Sequence, residues 1–294
     1  AARSLAGWKS RIIGLIIPEP TSNLFIDPYF SHLIPSISEA CKINDYTLSL
    51  FLFHTIEEES KLISRVLSRQ LIDGVIVSGT HYDDPVISQL MEAEMPFVLI
   101  GSHESDHVSY VDVDNVAGAY MATDHLLNLG YERVATITGP TINYAAVQRK
   151  QGYLNALKRH RRPYNASLVT EGDFTEAGGY QAALSLLSQQ PDAIFVASDR
   201  MAAGVLRALS DHNLKVPADI AVIGFDDFPT TMERTPNLTT IRQPIGRTGS
   251  LAVEMLLDML EHETEETRRL ILPTELVIRE SCAYSRYRVK EVVG

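Results

Sequence analysis

The polar chemistry of this chain gathers where apolar runs end. The run Ile220-Ala-Val-Ile-Gly224-Phe225-Asp226-Asp227 reads as a buried strand that delivers two carboxylates at its carboxyl end. A carboxylate there can accept a pair of hydrogen bonds from adjacent hydroxyls; a turn or helix-capping role for one or both aspartates is the alternative. Ala197-Ser198-Asp199-Arg200-Met201 closes another such run, and Asp199 has the same two readings. Arg149 lies three residues before Gly152 in the helical stretch Val147 to Tyr153. Glycine costs about 1 kcal/mol against alanine inside a helix, so a close-approach reason for it is expected. Arg149 would then lie near the start of that helix, where its guanidinium fork can grip hydroxyls or a carboxylate, the alternative being a surface ion pair. Tyr29, Phe30, Tyr82 and Phe174 are flat rings that can stack on the apolar face of a sugar or fill the core.

Of the common catalytic signatures, Gly-x-x-x-x-Gly-Lys, Gly-x-Ser-x-Gly and Gly-x-Gly-x-x-Gly are absent, and the letters of His-Glu-x-x-His occur once, at His103-Glu-Ser-Asp-His107, without the helical pattern that motif needs. The nine histidines are dispersed, and the closest group of metal-ligand types, His103, Glu104, Asp106 and His107, reads as a solvated loop. No metal and no cofactor are expected. Cys41 and Cys282 lie far apart and are expected to be free thiols, which suits a reducing cytoplasm. A net charge of −11 argues against direct nucleic-acid binding by this chain, which would need a concentrated basic surface. No apolar run approaches the roughly 20 residues of a membrane span, and Ala1 to Ser10 does not read as a secretory signal.

These residues need elements to position them. With 45% hydrophobic and 21% charged residues, 294 residues suffice for two ordinary domains. Apolar β-rich runs alternate with amphipathic helical patterns, the signature of an α/β class with parallel sheets covered on both faces. The first part predicts strands at Ile12 to Ile17, Thr47 to Phe53, Gly74 to Val77, Phe97 to Ile100 and Tyr110 to Val113, with helices at 30–43, 57–70, 85–94 and 114–129. The second part restarts the rhythm, with strands at Val134 to Thr138, Ser167 to Thr170, Ala193 to Val196 and Ile220 to Phe225, and helices at 143–160, 175–189 and 200–213. Two doubly wound parallel-sheet lobes follow, with the joint expected at Gly139-Pro140. A strand at Thr239 to Arg242, a helix at about 244–262 and a last strand at Leu270 to Ile278 come late, and are expected to cross back, the helix to lobe one and the last strand to lobe two. The division is 11–139 plus about 244–268 for one lobe, and 140–243 plus about 269–284 for the other. Ligands of open parallel sheets sit at the carboxyl ends of strands, so a pocket is expected in the cleft between the lobes.

Taken in order, these segments resemble the effector-binding core of the lactose-repressor and galactose-repressor (LacI/GalR) family of transcription regulators, a periplasmic-binding-protein-like fold, over about residues 1–284. Ala1-Ala2-Arg3-Ser4-Leu5 resembles the end of the family's hinge helix, so 1–10 reads as a hinge remnant. Asp27-Pro28-Tyr29-Phe30 resembles its Asn-Pro-Phe-Phe loop, after an apparent insertion at Thr21 to Ile26. Asp112-Val-Asp114-Asn115 resembles its Val-Asp-Asn segment, and His125-Leu126-Leu127-Asn128-Leu129-Gly130-Tyr131 its His-Leu-x-x-Leu-Gly-His segment. Arg149 with Gly152 and Tyr153, Phe195 to Ala202, Gly224 to Asp227, and Leu238-Thr-Thr-Ile-Arg-Gln243-Pro244 match further motifs in order, while the 285–294 tail matches none.

The resemblance implies that Arg149 and Asp226 are the principal ligands of sugar hydroxyls, that Phe174 is a stacking aromatic, and that Tyr29, Phe30, Ser78, Asp199 and Gln243 are secondary contacts. It also implies a cytoplasmic homodimer, not an enzyme, which binds operator DNA only through a helix-turn-helix headpiece N-terminal to this sequence and releases or captures it allosterically. A neutral sugar is the expected effector, ahead of a sugar phosphate and a purine, because Arg149 is the single basic residue the sequence places at the site. An extracytoplasmic sugar-binding protein of a transport system is the rival reading, with an α/β enzyme a distant third.

Overall fold

A computed structural model describes residues 10–17, 24–52, 71–79, 81–82, 84–228, 236–262 and 266–282. The hinge-like Ala1 to Leu5, the helix expected at 57–70, residues 21–23 of the segment Thr21 to Ile26 and the 285–294 tail lie outside these residues.

Helix starts follow from capping chemistry. α1 (Pro28–Ile43) and α2 (Pro85–Glu92) begin with proline after Asp27 and Asp84, whose side chains accept from the backbone N–H of Tyr29 and Val86. Asp114, Asn143, Thr175 and Ser198 cap α3 (Asn115–Asn128), α4 (Tyr144–Arg159), α5 (Glu176–Leu187) and α6 (Asp199–Asp211) in the same way. Each cap satisfies one backbone donor that a helix start leaves orphaned. The last helix, α7, runs Ile245–His262.

The chain forms two compact units, 1–112 with 244–272, and 113–243 with 273–294. In the first, β1 (Ile12–Ile16), β2 (Thr47–Phe51), β3 (Gly74–Ser78), β4 (Phe97–Ile100), β5 (Tyr110–Val113) and β11 (Arg269–Leu272) form a sheet of order β11-β5-β4-β3-β1-β2. Its pairs from β2 through β5 are parallel.

In the second unit, β6 (Val134–Thr138), β7 (Val169–Glu171), β8 (Ala193–Val196), β9 (Ala221–Asp226), β10 (Thr239–Arg242) and β12 (Glu275–Val277) take the order β12-β10-β9-β8-β6-β7. Only the β10–β12 pair is antiparallel. The two-residue period of these strands sorts their side chains onto two faces. Phe195, Ile223 and Phe225 pack with Ala119, Leu126, Tyr153 and Ala156 of α3 and α4. Ile194, Val196 and Val222 pack with Ala183, Leu186, Met201 and Val205 of α5 and α6. A sheet buried on both faces needs the near-continuous apolar strands seen in the sequence.

Two expectations are corrected. The division falls at 112/113 and not at Gly139-Pro140, because α3 packs on α4 and on the second sheet. The strand expected at Leu270 to Ile278 is two strands: β11 extends the first sheet, β12 the second. Pro273 separates them, having no N–H to continue a ladder. α7, by contrast, joins the first unit as expected.

Candidate functional site

The carboxyl edge of the second unit's sheet collects the exits of β6, β8, β9 and β10. Arg149, in the second turn of α4, reaches this edge with its side chain only 7% exposed. Its Nε donates to Asn115 Oδ1 at 2.9 Å and its Nη1 to the Ala197 carbonyl just past β8 at 2.6 Å. The guanidinium carbon lies 3.8 Å from the centroid of the Phe225 ring, a cation–π contact that orients its plane. Among the described residues it is the one buried lysine or arginine.

Asp226 ends β9, and its Oδ1 lies 3.6 Å from Arg149 Nη1. That is longer than the 2.7–2.9 Å of a charge-assisted hydrogen bond. Gln243, one residue past β10, donates from Nε2 to the same oxygen. The backbone turns sharply here, with φ of 128° at Asp226 and 67° at Asp227. Such conformations cost about 1–3 kcal/mol in non-glycine residues and persist where the surroundings over-determine them.

Asp199 supplies that determination. It is fully buried, and its Oδ2 accepts from the backbone N–H of Asp227 (2.8 Å) and Phe228 (3.2 Å), while Oδ1 accepts from Thr240 Oγ1 (2.6 Å). In return the Asp199 N–H donates to Asp226 Oδ2 at 3.3 Å. A Cβ on Gly224 would come within 2.1 Å of Asp199 Oδ1, so this position admits only glycine against the carboxylate. Burial pushes the Asp199 carboxyl up from 3.8 to about 6, opposed by the Thr240, Phe228 and Asp227 hydrogen bonds.

The two readings of each aspartate thereby separate. The helix cap of α6 is Ser198, not Asp199. Asp227 is taken by arginines: Arg242 Nε donates to its Oδ2 at 2.7 Å and Arg279 Nη2 to its Oδ1 at 2.5 Å. Asp226 is the carboxylate that faces Arg149.

Residues 123–282 match the family described as periplasmic binding protein-like domain. The transcriptional regulator CelR of Thermobifida fusca is 36% identical over 286 residues, 96% of this chain and 84% of that protein. The transcriptional repressor PurR of Edwardsiella ictaluri is 33% identical over 287 residues, 96% of this chain and 83% of that protein. The chain belongs to the LacI family of transcription regulators. A solved CelR–cellobiose complex superposes with a TM-score of 0.90 at 34% identity, covering 93% of this chain and 85% of that one. A LacI-family regulatory protein from Chloroflexus aggregans does so with a TM-score of 0.82 at 27% identity, covering 93% and 99%.

Of the candidate residues in this LacI-family chain, the structure joins Asp226, Asp199 and Gln243 in one hydrogen-bonded group, with Arg149 ion-paired to Asp226 at 3.6 Å. Phe174, at the β7 exit with φ of 61°, lies on Gly139 at the β6 exit, where a Cβ would meet its ring at 2.1 Å. Tyr29, Phe30 and Ser78 belong to the first unit. Tyr29 and Phe30 lie in the first turn of α1, not in a loop, with rings 5.4 Å apart edge to face. Ser78 ends β3 fully buried, its Oγ without a hydrogen-bond partner among the described residues. The His103 loop is held by Arg269, which donates to Ser105 O and Asp106 Oδ1. Among the described residues no group of His, Cys, Asp and Glu could hold a metal, and no helix is long and apolar enough to cross a membrane.

Asn115 and Gln148 are site residues that residue-by-residue reasoning missed. Asn115 is 1% exposed and donates to Gln148 Oε1 at 3.1 Å while accepting from Arg149. A signal was present: Asp114 caps α3, which leaves Asn115 as the first helical residue at a sheet edge.

Proposed function

We propose that this chain is the effector-sensing part of a LacI-family regulator, and that it binds a neutral sugar of the glucose-disaccharide class through Arg149 and Asp226. The observation that carries this reading is the buried Arg149–Asp226 pair, whose charged atoms are held 3.6 Å apart by separate partners. A sugar hydroxyl both donates and accepts, so one hydroxyl, or two adjacent ones, can donate to the carboxylate and accept from the guanidinium. The pair is net neutral and Asp199 adds buried acid beside it, an environment that disfavours a phosphorylated or carboxylate ligand. The CelR relative in complex with cellobiose supports the sugar class. The relatives named above are transcription regulators, which favours this reading over an extracytoplasmic binding protein and over an enzyme. Sugar occupancy shifts operator affinity in the cytoplasmic homodimeric regulator, and by reciprocity operator shifts sugar affinity, typically by 5–150-fold.

A thermal-shift panel of neutral saccharides, sugar phosphates and purines tests the effector class. A ligand at about 100 times its Kd adds about 2.7 kcal/mol, which at 2–4 °C per kcal/mol is roughly 5–11 °C. Cellobiose or another neutral saccharide is expected to give this shift, and Arg149→Gln to abolish it. A purine shift with no saccharide response would overturn the sugar reading.

A further inference from the structure

α4 carries Arg149 near its start and a second concentration of positive charge at its end, about 15 Å further along the helix. There the sequence reads Lys158-Arg159-His160-Arg161-Arg162, in a chain whose net charge is −11. Lys158, Arg159, Arg161 and Arg162 are exposed, and no carboxylate among the described residues pairs with any of them. His160 is different: its Nε2 lies 2.7 Å from Asp124 Oδ1 on α3, which pins the helix end.

The backbone beneath these side chains is fixed. Arg161 N–H donates to Lys158 O at 3.1 Å and Arg162 N–H to Leu157 O at 2.9 Å, with Arg161 left-handed at φ of 54°. This is the reverse turn that normally ends a helix on glycine. It occupies the carbonyls that would repel an anion, and it fans the side chains outward. Asn155, Lys158, Arg159 and Arg161 line a shallow, open concavity of about 450 Å³. One or two cations suffice to complement a helix C-terminus; three and a carboxamide around one shallow concavity go beyond that need.

We propose that this concavity is a second ligand site, for a small molecule carrying two or more linked phosphates. Guanidinium forks engage phosphate oxygens two at a time, and three cations without carboxylates match a compact multiple anion better than a monoanion. The site is separate from the Arg149–Asp226 group and does not depend on the sugar reading.

Calorimetric titration of the whole chain with inorganic tripolyphosphate, at constant ionic strength, tests the proposal, with orthophosphate and a random-sequence DNA duplex as comparisons. Saturable one-to-one binding of tripolyphosphate is expected, at least tenfold tighter than orthophosphate. The Lys158→Gln/Arg159→Gln variant should weaken it at least tenfold. Arg161→Gly places the favoured residue at the left-handed position, so it should weaken binding while the melting temperature holds or rises, which separates loss of a ligand group from loss of fold. Unsaturable binding, equal affinity in the variants, or binding of the duplex without tripolyphosphate would overturn the proposal.

Discussion

Gly152→Ala sets two effects of opposite sign against each other. Alanine is the better helix former by about 1 kcal/mol, so helix propensity alone predicts a more stable protein. The structure predicts the reverse. A Cβ at Gly152 would lie 2.3 Å from the Val116 carbonyl oxygen and 2.7 Å from the Tyr120 nitrogen, both backbone atoms of α3 that cannot rotate away. Ordinary contact begins at 3.4 Å, so α3 and α4 must separate by about 1.1 Å. Overpacking of this kind costs typically 1–3 kcal/mol, and the α3–α4 layer also buries Tyr153 and Ala156 on the sheet. Against unyielding backbone the upper part of that range, about 2–3 kcal/mol, applies, and less the ~1 kcal/mol of propensity the net expectation is a loss of about 1–2 kcal/mol, read as roughly 2–8 °C in melting temperature. Arg149 sits one turn earlier on the same helix face. A shift near 1 Å moves its Nη1 off the Ala197 carbonyl, now 2.6 Å away, so sugar affinity should fall about tenfold or more. Thermal unfolding with sugar titration measures both. A variant as stable as the parent, or more stable, refutes the close-approach account of Gly152.

Two further predictions follow from the aspartates. Asp199 has its carboxyl raised from 3.8 to about 6 by burial, so the folded protein holds a proton there that the unfolded chain releases near pH 4. Its contribution to stability is therefore fully present below pH 4 and is lost as pH rises to about 6. Thr240→Val removes the hydroxyl that donates to Asp199 Oδ1 and should move this midpoint upward in pH-dependent unfolding; a downward or absent move contradicts the assigned cause. Asp227→Ala leaves the mostly buried Arg279 without its carboxylate and the half-exposed Arg242 with Glu275 alone, at an expected cost of about 1–3 kcal/mol by denaturant unfolding. An unchanged midpoint would mean the Asp227 pairs are solvent-screened.

Most strands were legible because sheets buried on both faces need near-continuous apolar runs, and β4, β6 and β8 fall where such runs lie. Helix starts were legible from Asp, Asn, Ser and Thr caps, although Tyr29 and Phe30 show how a proline at the first position brings a helix start two residues earlier than its apolar rhythm. The split of β11 from β12 was readable in principle from Pro273, but an apolar run hides which sheet each half joins. At the site, residue type at strand and helix ends made Arg149 and Asp226 candidates with alternatives open, and the family resemblance singled them out. The separate duties of Asp199, Asp226 and Asp227 were not, since spacing along the chain does not say which carboxylate meets Arg279, Thr240 or Arg149. Asn115 escaped because its partners are 33 and 34 residues away.

The account rests on Asp226 accepting hydrogen bonds from sugar hydroxyls beside Arg149. Calorimetric titration of cellobiose into the parent chain and into Asp226→Asn tests it directly, since the substitution keeps the shape and removes the charge. A hydrogen bond to a charged group is worth about 1.5–3 kcal/mol, so the account predicts one-to-one binding by the parent and affinity weaker by about 10–150-fold in the variant, which still unfolds cooperatively in the absence of sugar. Equal affinity in the two proteins would contradict it.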